Sequence, residues 1–363
     1  MKIVSVQTHV LTLPLHTTFV TALRRTSATR TLVVQATAED GTSGFGEAPE
    51  VWQVTGDSVA GAQACVEGPL AARLLGRDSG DTVHLLRDVR AAVAGNAGAK
   101  AAVDVAVHDL LARLHGMPLV RWLGGTSMTV ETDVTLPVGS AEELARSAVA
   151  RVAEGFTTIK VKVGTDAQAD VRAVTAIRDA VGPAPKIRLD ANQGWTERQA
   201  VRAIRMIEDA QADIELIEQP VAAHDLDGLA RVTARVDTPV MADEAVYGIA
   251  DLLAVIRRHA ADMVNVKLAK CGGLAVARTL LELAAAAGLG TSVGSMMESP
   301  VGVGAAASLA AAYGTSAVSD LDAAWWLKRP DAGGIAYERR HVILADRAGL
   351  GIDSVDDLRG DEP

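Results

Sequence analysis

From residue 130 onward the sequence repeats one pattern about every 25 residues: a short apolar run ending on a polar residue, then a longer amphipathic stretch. The apolar runs end at Thr135, Lys162, Asp190, Glu218, Asp243, Lys267, Gly294 and Asp320. Residues 141–154, 170–181, 197–209 and 273–287 between them have helical spacing. Parallel strands need crossovers of this length, so the repeat is a βα unit. Eight such strands close most naturally into a barrel of the (β/α)8 kind. An open doubly wound sheet fits the same period, because periodicity does not show closure. Ahead of the repeat, residues 2–13 and 31–38 alternate as strands, with a turn signal at Glu39-Asp40-Gly41. Residues 58–116 then become rich in Ala, Leu and Val at helical spacing. The expected organisation is an α+β segment over 1–124 and a barrel over 125–324. The tail 325–363 loses the period and is expected to pack back on the first segment.

Composition narrows the function classes. Hydrophobic residues at 49% and charged residues at 22% fit a well-packed chain and exclude a disordered one. A net charge of −10 argues against a nucleic-acid or anionic-membrane partner held by bulk charge. Two cysteines, Cys65 and Cys271, supply neither a disulfide framework nor a zinc cluster. The N-terminal residues alternate like a strand and lack the pattern of a signal peptide. The stretch 301–313 is too short and too rich in Gly and Ala to span a bilayer. The expectation is a soluble cytoplasmic protein.

In a βα barrel the residues at the C-terminal strand ends build the active site. Here those ends carry charge: Lys160 and Lys162, Asp190 and Asn192, Glu218, Asp243 and Glu244, Lys267, then Asp320 and Asp322. Any one of them reads equally well as a solvated charge at a strand edge. Six consecutive ends do not, because isolated buried like charges cost several kcal/mol. Asp190, Glu218 and Asp243 converging from adjacent strands would repel unless a cation lay between them. Oxygen-only ligands with room for substrate favour magnesium. Lys162 and Lys267 would then flank whatever the metal holds. Removing a proton next to a carboxylate or carbonyl requires the developing enolate to be stabilised, which a bound metal does. Lysines crowded by other cations lose proton affinity and can act as bases near pH 7. Two of them facing each other across a carbon permit racemisation or epimerisation.

These motifs in this order, with Gly272-Gly273 after Lys267, resemble the enolase superfamily and its muconate-lactonizing subgroup over essentially the whole chain. The resemblance implies an α/β fold, an α+β capping domain over a (β/α)7β modified TIM barrel. It further implies Asp190, Glu218 and Asp243 as ligands of one Mg2+ per subunit and Lys162 and Lys267 as the acid/base pair. Lys160, Asn192 and Glu244 would support them. Within the subgroup the chain is most similar to the dipeptide epimerases. Ser319-Asp320-Leu321-Asp322 resembles the Asp-x-Asp that holds a substrate ammonium there. Gly294-Ser-Met-Met-Glu298-Ser resembles the seventh-strand segment, with Met297 as a substrate contact. Phe19 to Arg24, Gly46-Glu-Ala-Pro49 and Thr55-Gly-Asp-Ser58 resemble the capping loops. Thr135 and Arg24 complete the implied substrate-binding set. A guanidinium at Arg24 suits a side-chain carboxylate, which favours an L-Ala-D/L-Glu-like dipeptide, although Arg25 follows it directly. The alternatives are an epimerase preferring hydrophobic or cationic dipeptides, and an N-succinylamino acid racemase or o-succinylbenzoate synthase. The latter two lack the free ammonium that Asp320 and Asp322 would meet. A catalytically dead binding protein would have lost a lysine or a metal ligand, and none is missing. The resemblance also implies a homo-oligomer.

Three weaker signals remain. Gly302-Val-Gly304 mimics a dinucleotide fingerprint, but Ser299-Pro300 precedes it where a strand should run, which suits a helix start able to hold a substrate carboxylate. His108 and His115 read as structural. Trp325 and Trp326 fall where barrel and tail meet and read as interface residues.

Overall fold

In the computed structural model, which describes residues 1–20, 25–164, 166–330 and 333–359, the alternating N-terminal runs form three antiparallel strands. They are β1 (Ile3–Val20), β2 (Arg25–Ala38) and β3 (Ser43–Pro49), in the order β1-β2-β3. Helix α1 (Ala97–Leu114) lies across this sheet, backbone close to backbone. A Cβ at Gly46 would collide with the Ala102 carbonyl oxygen, and one at Gly44 with the Ala106 oxygen and the Leu110 amide. Only glycine permits that approach. Gly46→Val is therefore expected to cost about 3 kcal/mol or more. Urea unfolding checks this, and an unchanged midpoint would show that the helix can retreat from the sheet.

The periodic region forms seven parallel strands in sequential order. They are β4 (Val134–Leu136), β5 (Thr158–Lys162), β6 (Lys186–Asp190), β7 (Ile214–Glu218), β8 (Val240–Ala242), β9 (Met263–Lys267) and β10 (Gly290–Gly294). Eight strand ends were expected, and the eighth is reduced to two residues. Ser319 bridges Thr132 beside β4, and Asp320 bridges Gly294 at the end of β10, so this short segment joins the two edges of the curled sheet. The backbone bonds Asp320 N–H to Val293 O and Asp133 N–H to Ser319 O complete the seam.

The intervening helices are α2 (Ala141–Ala153), α3 (Ala167–Val181), α4 (Glu197–Asp209), α5 (Leu226–Thr233), α6 (Ile249–Arg258), α7 (Leu274–Ala286) and α8 (Pro300–Tyr313). Their starts are fixed locally. Ser140 with Glu143, and Thr196 with Gln199, form capping boxes, and Asp166 and Asp225 cap α3 and α5. The outward strand residues Ile159, Val161, Ile187, Leu189 and Val264 are fully buried against Leu144, Val174, Ile177, Ile204 and Ile207 of the helices. Each such side chain contributes about 1.5–3 kcal/mol. The inward residues of the same strands are the charged ones, and register sets them level: Lys162 pairs with Asp190, Asp190 with Glu218, and Lys267 with Gly294.

The three-stranded sheet meets the open end of this barrel. Thr29 Oγ1 donates to Met297 O at 2.8 Å, and Tyr247 Oη donates to Val54 O at 2.5 Å. His16, Phe19, Trp325 and Trp326 pack ring against ring at 4.9–5.2 Å between centroids, so the two tryptophans do sit at an interface. His108 Nδ1 bonds to Asp104 O at 2.9 Å, and the His115 ring packs on Trp122, both structural placements. No helix among the described residues is long and apolar enough to cross a membrane.

Candidate active site

A pocket opens at the C-terminal ends of the strands. Its lining includes Thr135, Lys162, Asn192, Asp243, Glu244, Lys267, Met297, Asp320 and Asp322, nine of the residues expected from sequence. Phe19, Val51, Gln53 and Val54 close it from the side of the antiparallel sheet. Lys160, Asp190 and Glu218 lie directly beneath and are essentially inaccessible. Arg24 lies outside the described residues. Arg25 is exposed at the start of β2, and Trp52 is 60% exposed and does not line the pocket.

Beneath the pocket the charges interlock. Lys160 Nζ is 2.5 Å from Glu218 Oε2, 2.8 Å from Asp320 Oδ2 and 3.0 Å from Asp190 Oδ2. Lys162 Nζ is 2.6 Å from Asp190 Oδ2, and Lys267 Nζ is 2.9 Å from Asp243 Oδ2. Lys270, one helical turn beyond Lys267, is buried and bonds to both the carboxylate and the carbonyl of Asp243. Burial acts to discharge Lys160, but Asp190, Asp320 and Glu218 outweigh it and hold its proton firmly. Lys267 is held charged in the same way, chiefly by Asp243. Burial raises Asp190 and Asp243, and the neighbouring lysines more than reverse this, leaving both well below the usual carboxylate range.

Sequence reasoning missed Asp133, Arg188, Gln219 and Lys270. Asp133 and Arg188 stand two residues before Thr135 and Asp190, on the same inward face one layer down, and strand alternation could have found them. Arg188 Nη1 meets Asp133 Oδ2 at 3.1 Å, with both residues 1% exposed. Gln219 takes a left-handed conformation at φ 37° and accepts from the Asp243 and Ala245 amides at 2.9 and 3.0 Å. It thereby joins the end of β7 to the loop carrying Asp243 and Glu244. Asn192 Nδ2 reaches Glu244 Oε1 at 3.3 Å, and the Asn192 amide donates to Asp190 Oδ1 at 2.9 Å.

Two carboxylate groups deserve comparison as cation sites. Asp133, Asp320 and Asp322 bring one oxygen each within 4.8 Å of one another. Their donors come from the protein: Arg188 for Asp133, Lys160 for Asp320, the Thr135 amide and Trp326 indole for Asp322. Asp190, Glu218 and Asp243 stand on consecutive strands with lysine ammoniums in the space between them. The charge balance bears on whether a metal fits there. Seven carboxylates (Asp133, Asp190, Glu218, Asp243, Glu244, Asp320, Asp322) face five cations (Lys160, Lys162, Arg188, Lys267, Lys270), and Glu215 shares Arg188 at 2.5 Å, so formal negative charge is in excess. The excess registers where repulsion concentrates. Burial first, then Asp190 and Asp243, push Glu218 up to about 7, and burial with the same two carboxylates pushes Glu244 up to about 7. Glu244 Oε2 and Asn265 Oδ1 are also buried without a partner. An all-oxygen site short of positive charge, with orphaned acceptors beside it, fits a hard divalent cation.

Comparison with known proteins shows what the chain as a whole is similar to. The family model for the mandelate racemase / muconate lactonizing enzyme N-terminal domain matches residues 2–124, and the enolase C-terminal domain-like model matches residues 143–358. The chain is 41% identical to the L-Ala-D/L-Glu epimerase of Bacillus subtilis over the full length of both. The solved structure of that enzyme in a substrate-liganded complex superposes with a TM-score of 0.94, covering 97% of this chain and 99% of that one. A dipeptide epimerase from Enterococcus faecalis, solved with Mg and the dipeptide L-Leu-L-Tyr, is 37% identical with a TM-score of 0.93 over 98% of this chain and 100% of that one. An N-succinyl Arg/Lys racemase from Bacillus cereus is 30% identical with a TM-score of 0.94, over 99% and 97%.

Proposed function

We infer the activity from one premise: the chain belongs to the mandelate racemase / muconate lactonizing enzyme family of the enolase superfamily. It is an isomerase, a Mg2+-dependent dipeptide epimerase that inverts the α-carbon of the C-terminal residue by proton transfer between two lysines. The observation carrying this reading is that Lys162 on β5 and Lys267 on β9, four strands apart around the ring, line one pocket together with Asp320 and Asp322. The substrate α-carbon would lie between them, so that a lysine that has shed its own proton takes one from one face and the other, still charged, returns a proton to the opposite face. Lys160, bridged to three carboxylates, stays charged and serves to position Lys162 and the strand ends around it. Asp190, Glu218 and Asp243 would hold Mg2+, which when bound would supply positive charge to the substrate carboxylate. Asp320 and Asp322 receive the substrate ammonium, a group that an N-succinylated amino acid lacks.

An L-Ala-D/L-Glu-like substrate is the favoured reading. A second reading, preference for a hydrophobic side chain, is supported by the wall formed by Phe19, Val51, Val54, Met296 and Met297, where among the described residues Gln53 is the one polar side chain from the antiparallel unit. Incubation with Mg2+ and pooled L,L-dipeptides in D2O, followed by mass spectrometry, tests both. A gain of one mass unit on Ala-Glu-like peptides supports the first, and a gain confined to hydrophobic dipeptides supports the second. No exchange on any dipeptide, with Mg2+ binding verified by calorimetry, would sink the epimerase reading. Chelation with EDTA is expected to abolish exchange and Mg2+ to restore it.

A further inference from the structure

The start of α8 is where the antiparallel unit grips the barrel. Glu47, near the end of β3, accepts from the Ser299 amide at 2.9 Å, the Ser299 hydroxyl at 2.5 Å and the Gly302 amide at 2.9 Å. The helix start expected to hold a substrate carboxylate is therefore already filled, by a carboxylate 252 residues away in sequence. Glu298 lies beside it, 2% exposed, with Oε1 accepting from the Met296 amide at 2.8 Å. The two Oε2 atoms flank a single point. A Cβ on Gly302 would overlap Glu298 Oε2 and lie 3.0 Å from Glu47 Oε2.

Two ionised carboxylates there would each lose hydration and repel. Burial pushes Glu47 above the ordinary glutamate value, and the hydroxyls of Ser299 and Thr31 and the amides of Ser299 and Gly302 act against it. Those facing Glu298 are Glu47, the Met296 amide and, from β9, Lys267. Glu47 thus has several donors that favour its anion, whereas Glu298 has the Met296 amide alone. We propose that Glu298 is a neutral carboxylic acid held against ionised Glu47, and that this pair is a proton-dependent latch fixing the pocket wall of Ser295, Met296 and Met297. Burial, and then Glu47, push Glu298 up to about 8. Glu298 is a positioning residue, acting through the backbone it holds, opposite the Thr29 bond to Met297 O.

The sign of the pH effect follows from linkage. Opening exposes Glu298 to water, where a glutamate ordinarily titrates near 4.5, so opening releases a proton at any pH between 4.5 and about 8. The latch is fully present below the lower value and is lost as pH rises through the upper one. Its opening constant grows about tenfold per pH unit between them.

The inference goes beyond the proposed activity, and its test needs no substrate, so failure of either leaves the other standing. Native-state hydrogen exchange of the 296–302 amides, corrected for intrinsic rates, is measured on the full chain at pH 6 and pH 7.5. Protection in the wild type is expected to fall about thirtyfold more than in Glu298→Gln, which keeps the shape of the side chain but does not titrate. Glu298→Ala is expected to be poorly protected at both pH values. An equal pH dependence in wild type and Glu298→Gln, or a Glu298→Gln variant as unprotected as Glu298→Ala, would overturn the proposal.

Discussion

Lys267→Met is expected to lower dipeptide epimerisation by about 10³-fold or more, while leaving α-proton exchange with D2O intact on one stereoisomer of the substrate. Lys162→Met is expected to show the complementary pattern, exchanging the other stereoisomer. The reasoning is geometric: the two ammonium groups reach the pocket from β5 and β9, so each addresses one face of the bound carbon. A variant with one lysine can remove and return a proton on its own side, which exchanges the isotope but does not invert the centre. The fold should survive either change, because both lysines border the pocket and methionine replaces the stem without burying a charge. Mg2+ affinity measured by calorimetry should hold or rise, since Lys267 at 2.9 Å from Asp243 Oδ2 and Lys162 at 2.6 Å from Asp190 Oδ2 compete for those oxygens. The two-base reading fails if either single variant still interconverts both stereoisomers, or if each loses exchange on both.

How much of this was legible beforehand follows from how far apart in sequence each contact lies. Strand and helix order was readable because alternation along β5, β6 and β7 puts Ile159, Leu189 and Ile217 outward and Lys160, Asp190 and Glu218 inward, a signal contained within five residues. The strand-end charges were readable for the same reason, and register then brings them level without further information. The reduced eighth strand was less legible. Ser319 and Asp320 join the sheet through single bridges, and an apolar run leading to Asp320 looks the same whether it pairs over five residues or two. The layer beneath the pocket was hidden differently: Arg188 inside a strand reads as a solvent-facing charge until Asp133, 55 residues earlier, is known to oppose it. Glu47 is the extreme case. Its motif was visible and read as part of a capping loop, but nothing local indicates that it fills the start of α8.

The same long-range logic sets the second large effect. Asp109→Ala is expected to destabilise the chain by about 3–5 kcal/mol, since it removes the single partner of several buried donors. Asp109, fully buried on α1, accepts from the Phe45 amide of β3 at 2.7 Å, the Leu350 amide of the C-terminal segment at 2.5 Å, and Arg113 Nε at 3.1 Å. Arg113 in turn bonds to Ile352 O, so one carboxylate ties sheet, helix and C-terminal segment together. Alanine leaves the Phe45 and Leu350 amides without an acceptor in a place water does not reach, and leaves Arg113 without its carboxylate. Asp109→Asn is expected to cost less, because its oxygen still accepts one amide, but its NH2 group must face a second N–H donor. Urea unfolding of the three proteins gives the order, with midpoints falling from wild type through Asp109→Asn to Asp109→Ala. Equal midpoints for Asn and Ala would mean that the carboxylate matters through its charge on Arg113 and not through the two amides. A wild-type midpoint for Ala would mean that the amides find other acceptors and that the C-terminal segment docks without this residue.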